Sequence, residues 1–279
     1  MAGNITKIKR QLRSIKSTKK LTNAMSLVAT AKLQKERGRL FANNKYAAVF
    51  EELLYKALCA KIEGEETNKF LIPSKVNNPL HIVFTSNSGL CGSYNMDLLK
   101  FVAKNVNKDE PIFAVGTYGI RWLMNNDYMV VKRIEDLNDF HPATINKLID
   151  DIMALYANDE ISSIDIYYTD YVNTLKFVPR IYPLLPLVYD RNELDETDLL
   201  LEPSRDEVLN ELIPMYVSSQ IYDKFLESKI SENAARRAAM DGANQNADNL
   251  INDLQIRYNQ ARQTAITQEM NEITSGSLK

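Results

Sequence analysis

The sequence predicts an α/β protein in three parts. Two long terminal helices form an antiparallel coiled coil, and an α/β domain is inserted between them. Three observations carry this reading. All nine prolines lie between Pro73 and Pro214. Apolar residues ahead of that span recur with a heptad period, and strand-like and helix-like stretches alternate inside it. The resulting boundaries are 1–75 for the first helix, 76–205 for the inserted domain and 206–279 for the second helix.

The flanking arms hold few glycines, Gly3, Gly38 and Gly64 in the first and Gly242 and Gly276 in the second. Uninterrupted stretches of about 60 residues read as helices about 90 Å long, far too long for a small domain to bury, so each needs a partner helix. With Ile5 and Ile8 as positions a and d, eleven of the sixteen a/d positions through Ala57 are apolar. The breaks are Lys19, Thr22, Ser26, Glu36 and Asn43. Across the first gap runs a second stripe, Leu21, Met25 and Val28, with Ala24, Leu27 and Ala31 beside it. One partner helix cannot cover more than one face, so a further surface is expected to meet residues 20–33.

The second arm carries a weaker seam: Ile221 and Phe225, then Ile251, Leu254, Tyr258, Ala261 and Ala265, and finally Ile266, Met270 and Ile273. Between these groups, Glu232 to Asn249 is almost all Ala, Asn, Gln, Asp and Arg. Small residues allow helices to approach closely but offer little apolar area. The two arms have similar length and leave one middle domain between them, which predicts antiparallel pairing with both termini at the far tip.

The middle section alternates. Leu80–Thr85, Ile112–Val115, Tyr128–Val131 and Ile164–Tyr168 read as strands. Helix-like stretches separate them at Tyr94–Asn107, Tyr118–Asn125 and Pro142–Ala157, the last with Pro at its first position. Such alternation implies a mostly parallel sheet covered on both faces, a Rossmann-like arrangement. Phe177 to Val188, interrupted by Pro179, Pro183 and Pro186, reads as an extended edge segment.

Composition narrows the function classes. The chain has 279 residues, 45% apolar and 25% charged, ordinary for a globular protein and incompatible with wholesale disorder. Cys59 and Cys91 cannot build a disulfide framework, and with only His81 and His141 a Cys/His zinc site is out of reach. The longest apolar runs, such as Ile181–Tyr189, are broken by proline and fall well short of the ~20 residues of a membrane-spanning helix. The N-terminus lacks the apolar core and cleavage site of a secretory signal, so a reducing, cytosol-facing compartment is expected. The net charge of −2 conceals an asymmetry. Residues 1–45 hold twelve Lys and Arg against the single acid Glu36, a net of +11, which leaves 22 basic and 35 acidic residues, or −13, in the remainder. Asp190–Glu211 alone holds nine acids and two arginines. A basic arm of this kind suits an acidic or polar partner, or is simply a solvated helix face.

The best candidate for chemistry is the loop Thr85-Ser-Asn-Ser-Gly-Leu-Cys-Gly-Ser93, between the first strand and a helix, where α/β sheets often bind phosphate. It matches neither the dinucleotide nor the P-loop pattern, and no lysine follows Gly92. A Cys91 nucleophile would need a histidine base, whereas His81 sits in an apolar strand as a satisfied core residue. A tight turn permitted by glycine accounts for the loop better. Asp150-Asp151 and Glu65-Glu66 are neighbours that a helix would point apart, and read as solvated surface. Arg236-Arg237 could meet phosphate, with a surface role as the default. The residues alone leave open an α/β enzyme with a coiled-coil oligomerisation arm, a coiled-coil nucleic-acid binder and, less well, a mitochondrial transit peptide at 5–21.

The end of the second arm adds a resemblance. Ala261-Arg-Gln-Thr-Ala-Ile-Thr-Gln-Glu-Met-Asn-Glu-Ile-Thr-Ser-Gly276 resembles the C-terminal signature of the gamma subunits of rotary F-type ATP synthases. Met1-Ala-Gly3, the run from Ile8 through Ala24-Met25-Ser-Leu-Val-Ala29, and Ser-x-x-Gly-Leu-Cys-Gly at 86–92 are similar to the same family, in the same order. The departures are Asn87 and Ser88, where the family often has Asp and a basic residue, Ser93, where a second glycine is common, and Ser277 in place of Ala.

The resemblance implies a central shaft without catalytic residues, cofactor or metal of its own, and it counts against the enzyme and nucleic-acid readings. The terminal helices would turn inside a hexamer of alternating alpha and beta subunits. The α/β domain would form a foot near the epsilon subunit and the membrane rotor ring. No membrane insertion follows, only a peripheral place on the cytoplasmic face of a bacterial membrane. By position, shaft-to-hexamer contacts fall on Met25, Arg236, Arg262, Gln263, Thr267, Gln268 and Glu269, and a foot contact on Glu202.

Overall fold

The computed structural model describes residues 2–60, 68–72, 74, 76–135, 142–173, 176–187 and 201–276. His141, Glu65-Glu66 and most of the acidic block before Leu201 lie outside them. In chain order the elements are α1 (Ala2–Cys59), β1 (Pro79–Phe84), α2 (Tyr94–Asn105), β2 (Ile112–Val115), α3 (Thr117–Asn125), β3 (Val130–Ile134), α4 (Pro142–Ala157), β4 (Ser163–Asn173), β5 (Lys176–Leu185) and α5 (Arg205–Gly276). Contacts divide the chain into two compact units, Met1–Ala31 with Arg236–Lys279, and Lys32–Ala235. The division falls inside α1 and α5.

The first unit is the antiparallel helix pair. Lys19 pairs with Asp248, the Thr22 hydroxyl donates to Asn244, and Ser26 Oγ donates to Asp241 Oδ1 at 2.7 Å. Residue numbers fall on α5 as they rise on α1, which fixes the antiparallel sense. Three of the polar breaks in the heptad are thus the positions where the seam is polar on both sides. Ile8, Leu12 and Ala29 are buried beside them. Leu21, Leu27 and Val28 remain 61%, 72% and 55% exposed, so the second apolar stripe is uncovered as the sequence implied. Extending the register, the described residues of α1 stand opposite α5 up to about residue 266.

The second unit is built on a five-stranded sheet of order β3-β2-β1-β4-β5. β1 pairs in parallel with β2 and β4, and β2 pairs in parallel with β3. β5 runs antiparallel to β4 as an edge strand, where Pro179 and Pro183 are tolerated. Side chains alternate along the strands. Val83, Ala114 and Tyr167 face Leu98, Leu99 and Val102 of α2 and Ile120 and Leu123 of α3. Leu80, Ile82, Phe84, Ile164 and Ile166 face the other way, onto α4, the end of α1 and the first half of α5. Leu209, Ile213, Val217 and Ile221 of α5 each expose 0%. The guanidinium of Arg205, the first residue of α5, donates to the carbonyls of Ala57 at 3.0 Å and Leu58 at 3.5 Å, capping the C-terminal turn of α1.

Strand β3 begins at Val130 rather than Tyr128. Asp127 turns the chain with φ 62°, and the Met129 N–H donates to the Lys108 carbonyl, so Tyr128 and Met129 belong to the connection. His81 is buried as expected but satisfied on one nitrogen only: Nε2 lies 3.0 Å from Glu110 Oε2, while Nδ1 has no hydrogen-bond partner among the described residues.

Because Ile213 is fully buried against the sheet, Ile213→Ala is expected to remove about 3 kcal/mol of stability. Urea unfolding of the full chain reads this out, and an unchanged midpoint would show that α5 is not an integral part of this core.

Candidate functional site

In an open α/β sheet the ligand crevice lies at the C-terminal ends of the strands where the strand order reverses, which here is between β1 and β4. The loop after β1 stands at that place. Thr85, Ser86 and Asn87 are engaged within the protein. Asn95 Oδ1 accepts the Ser86 N–H at 3.0 Å, Asn95 Nδ2 donates to Ser86 Oγ at 2.7 Å, and Ser86 Oγ donates to the Ser88 carbonyl at 2.7 Å. Asn87 Oδ1 accepts the Thr117 N–H at 3.1 Å. Leu90 and Gly92 take φ of 62° and 60°, the turn conformation that the glycine in the motif serves. Thr85 is pinned by α3: its Oγ1 donates to the Val115 carbonyl at 2.8 Å and accepts the Gly119 N–H at 3.0 Å. Gly116 has φ 98°, and a Cβ there would lie 2.3 Å from the Thr85 carbonyl oxygen, so no other residue fits.

The crevice itself is filled by α5. The Tyr94 hydroxyl meets Ser228 Oγ at 2.7 Å, Ser231 Oγ donates to the Thr169 carbonyl at 2.8 Å, and Ala235 packs with Cys91 and Tyr94. Cys91 is 1% exposed with Asn95 Nδ2 at 3.3 Å, and His81 lies in β1, engaged with Glu110. Burial pushes the Glu110 carboxyl up, but hydrogen bonds from Asn107 and His81 outweigh it and hold the group below the usual carboxylate range. His81 is thereby committed to Glu110 rather than to the thiol. The pocket that an enzyme reading required at 85–93 is therefore occupied by the protein's own helix. A cleft of about 790 Å³ does exist elsewhere in this unit, walled by Tyr46 and Phe50 of α1, Ile145 and Ile149 of α4, and Pro214 and Tyr222 of α5.

Beyond the crevice, α5 carries a second polar grip. Lys224 Nζ sits 2.9 Å from Asp223 and 3.2 Å from Glu227, under the rings of Tyr168 and Tyr182 at 5.3 Å and 5.0 Å. Burial pulls the Lys224 ammonium down, but the two carboxylates outweigh it and raise its pKa above the ordinary value. Burial pushes the Tyr168 phenol up to about 12, with Glu227 adding to the shift.

The sequence-predicted contact residues fall in several places. Arg262, Gln263, Thr267, Gln268 and Glu269 are all exposed on the last turns of α5. Gln263 and Thr267 share an amide and hydroxyl face with Gln260, Thr264 and Asn271. At 100° per residue, Arg262 and Glu269 share another face with Ile266 and Ile273. Arg262 and Glu269 form no ion pair among the described residues. Met25 is half-buried on α1 beside exposed Leu21 and Val28. Glu202 is exposed in the bend before α5. Arg236 is only 9% exposed, which corrects the surface role expected for the pair, while Arg237 is exposed with Asp241 at 3.7 Å. Sequence reasoning missed Ser228, Ser231 and their partners Tyr94 and Thr169. The i, i+3, i+7 spacing of Ser228, Ser231 and Ala235 was the available signal.

Comparison with known proteins extends over the whole chain. A sequence model of the family described as ATP synthase matches residues 4–278. The ATP synthase gamma chain of Clostridium kluyveri is 35% identical over 99% of this chain and 98% of its own length. That of Mycoplasma capricolum is 33% identical over 98% of both. The chain belongs to the ATP synthase gamma-chain family. Among solved structures, a chain of the Euglena gracilis mitochondrial ATP synthase OSCP/F1/c-ring assembly in rotational state 3 matches with TM-score 0.72 at 17% identity, covering 99% of this chain and 94% of that one. The rotor of the same enzyme in rotational state 1 matches with TM-score 0.67 at 18% identity, over 95% and 100%. At these identities the shared property is the fold. The loop motif at 86–92 thus acquires a structural account here: Gly92 supplies the turn at φ 60° beside Cys91, which packs with Ala235 of α5.

With the crevice filled, millimolar ATP, ADP or inorganic phosphate is expected to leave the melting temperature of the isolated chain unchanged. A ligand present at 100 times its Kd would add about 2.7 kcal/mol. A shift of several degrees would restore the enzyme reading.

Proposed function

We infer that this chain is the central shaft of a rotary ATP synthase, coupling ion-driven rotation of a membrane ring to ATP synthesis or hydrolysis in a surrounding hexamer. The paired terminal helices serve as the shaft inside alternating alpha and beta subunits. The α/β domain, 76–205, serves as the foot toward the epsilon subunit and the ring, with Glu202 on that side. The assembly lies on the cytoplasmic face of the bacterial membrane, and no helix among the described residues is long and apolar enough to cross it.

One observation supports this reading above the others. The last turns of α5 hold Ile266, Met270 and Ile273 at 48%, 63% and 72% exposure, where α1 has no described residue opposite. Apolar side chains so exposed on a helix call for a further protein surface to cover them. The stripe at Leu21, Leu27 and Val28 makes the same demand on α1. A sleeve that meets these surfaces differently in each rotary position changes its own conformational equilibrium by the difference in binding energy, which is how torque and chemistry are linked.

Arg262 is exposed and unpaired by any described carboxylate, free to present its planar, multi-donor guanidinium to a beta-subunit loop. In a reconstituted complex of verified stoichiometry, Arg262→Lys is expected to lower ATPase activity a few-fold. Arg262→Ala should lower it about tenfold, the scale of one charge-assisted hydrogen bond of ~1.5 kcal/mol. Circular dichroism of the free chain should not change beyond fraying of the tip. Equal turnover for Arg, Lys and Ala would remove position 262 from the coupling contacts.

Met25 is half-buried among exposed apolar neighbours. An ammonium placed there becomes partly desolvated inside a sleeve and seeks a carboxylate on it, a bond that each step must break. Met25→Lys is therefore expected to reduce ions pumped per ATP hydrolysed in vesicles more than it reduces assembly. An unchanged ratio in an intact complex would sink the idea.

A further inference from the structure

Toward the N-terminal ends of β1 and β4, away from the crevice, three titratable side chains meet. His81 and Asp165 are register partners in the parallel β1–β4 ladder, so they stand side by side on one face of the sheet. Glu110, two residues before β2, reaches His81 from the other side of β1. His81 is 3% exposed, and its two ring nitrogens are unequally placed. Nε2 is 3.0 Å from Glu110 Oε2, and Glu110 also accepts the backbone and side-chain N–H groups of Asn107. Nδ1 is 3.9 Å from Asp165 Oδ2, within ion-pair range but too far for a hydrogen bond, and it has no hydrogen-bond partner among the described residues.

A buried polar atom so placed is costly. With the Nε2 proton donated to Glu110, Nδ1 presents a lone pair to a carboxylate, two acceptors with no hydrogen between them. One proton removes the conflict wherever it is placed. On Nδ1 it donates to the Asp165 carboxylate; on Oδ2 it donates to the imidazole lone pair. The bond is the same, so the two groups titrate as a pair. Asp165 exposes 26% of its side chain, and its carboxyl has room to turn through the ~1 Å that closes the gap.

The charge balance is local. Burial pushes the Asp165 carboxyl up and the Glu110 charge adds to it, outweighing the lowering by His81. Glu110 is held below the ordinary carboxylate range and stays charged. Tyr167 of β4 lies edge-on to the His81 ring at 5.4 Å; burial, then Asp165 and Glu110, push its phenol up, and it stays neutral. From α2 the cluster around Tyr167 receives Phe101, Val102 and Val106, all apolar. Lys108 and Asp109, in the connection that carries Glu110, are exposed, and Lys108 lies over the Tyr128 ring.

We propose that His81, Glu110 and Asp165 form a proton-operated latch: one proton held between His81 Nδ1 and Asp165 Oδ2 ties β4 to β1, and Glu110 carries the tie on to the connection before β2. The latch is closed at low pH and open at high pH. It lies wholly within the α/β domain and stands independently of the shaft reading. Asp165 holds its proton more tightly folded than unfolded, so its contribution is full below about pH 3.8 and is lost as pH rises through the folded value. Glu110 runs the other way, with a contribution full above about pH 4.5 and lost as pH falls. Above about pH 5, therefore, the latch is the part of this set that changes.

The test unfolds the full chain in urea at pH 5 and pH 8. The wild-type folding constant is expected to fall between the two by about fivefold or more relative to Asp165→Asn. The asparagine amide donates to Nδ1 without a titrating proton and holds the latch closed at both pH values. Asp165→Ala, which removes the partner, should show the same flat profile at lower stability than Asp165→Asn. In NMR of the wild-type chain, His81 Nδ1 and the Asp165 carboxyl carbon should titrate with one common midpoint in this range. His141→Gln assigns the imidazole signals, as the chain has two histidines. The NMR readout stands even where a variant fails to fold. Equal pH dependence in wild type and Asp165→Asn overturns the proposal, as does a pair that titrates at two separate midpoints or not at all between pH 5 and pH 8.

Discussion

Leu209, Ile213, Val217 and Ile221 occupy four successive turns of α5, and none of them exposes any surface. They cover the sheet face made by Leu80, Ile82, Phe84, Ile164 and Ile166, together with α4 and the end of α1. Without α5 that face would meet water, at a cost of roughly 1.5–3 kcal/mol for each large apolar side chain exposed. The α/β domain is therefore not closed by its own continuous stretch of sequence. It borrows its second layer from helices that go on elsewhere, which ties the order of the core to the position of α5. Arg205 binds the end of α1 to the start of α5 and fixes where both helices enter this layer.

The same constraint explains what fills the crevice at the end of β1 and β4. A helix held on the sheet face from its first turns advances toward the strands' C-terminal ends, where a ligand would otherwise sit. Its side chains there are Ser228, Ser231 and Ala235, small enough to let backbone and loop approach, and the loop answers with Gly92 and the internal bonds of Ser86 and Asn95. Glu232, 4% exposed, is kept acceptable by Lys229 at 2.7 Å. A fold associated with nucleotide binding has its binding place taken by an internal contact, and the function follows the contact rather than the fold.

Much of this architecture was legible because it rests on periodicity. All sixteen heptad positions assigned from Ile5 to Ala57 are buried or half-buried, the five polar ones included. β2 and α4 have the expected ends, since Ile112–Val115 is a fully buried run and Pro142 marks a helix start. Strand β3 slipped because Tyr128 and Met129 have strand-like side chains, which outweighed the turn signal of Asn126-Asp127, whose Asp takes the positive φ that displaces them. The grip on α5 was legible only as the spacing of Ser228, Ser231 and Ala235. An apolar stripe that meets a sheet reads like one that meets a helix, and buried Ser228 or Ser231 reads like a surface serine. Arg236 was missed for the same reason, as its burial depends on tertiary neighbours that no local pattern announces.

The helix pair resolves a conflict between order and adhesion. Paired helices with apolar residues at every seam position would be more stable, but they would specify their register less well. Here Lys19, Thr22 and Ser26 face Asp248, Asn244 and Asp241, partly exposed polar pairs that add a modest preference for this register. Apolar area that the seam does not use appears on the outside instead, at Leu21, Leu27, Val28 and the turns from Ile266 to Ile273. A protein that kept only its own stability would place these residues the other way round. Around residues 19–28 apolar side chains face outward while polar ones meet the partner helix, the distribution expected of the enclosed shaft proposed above.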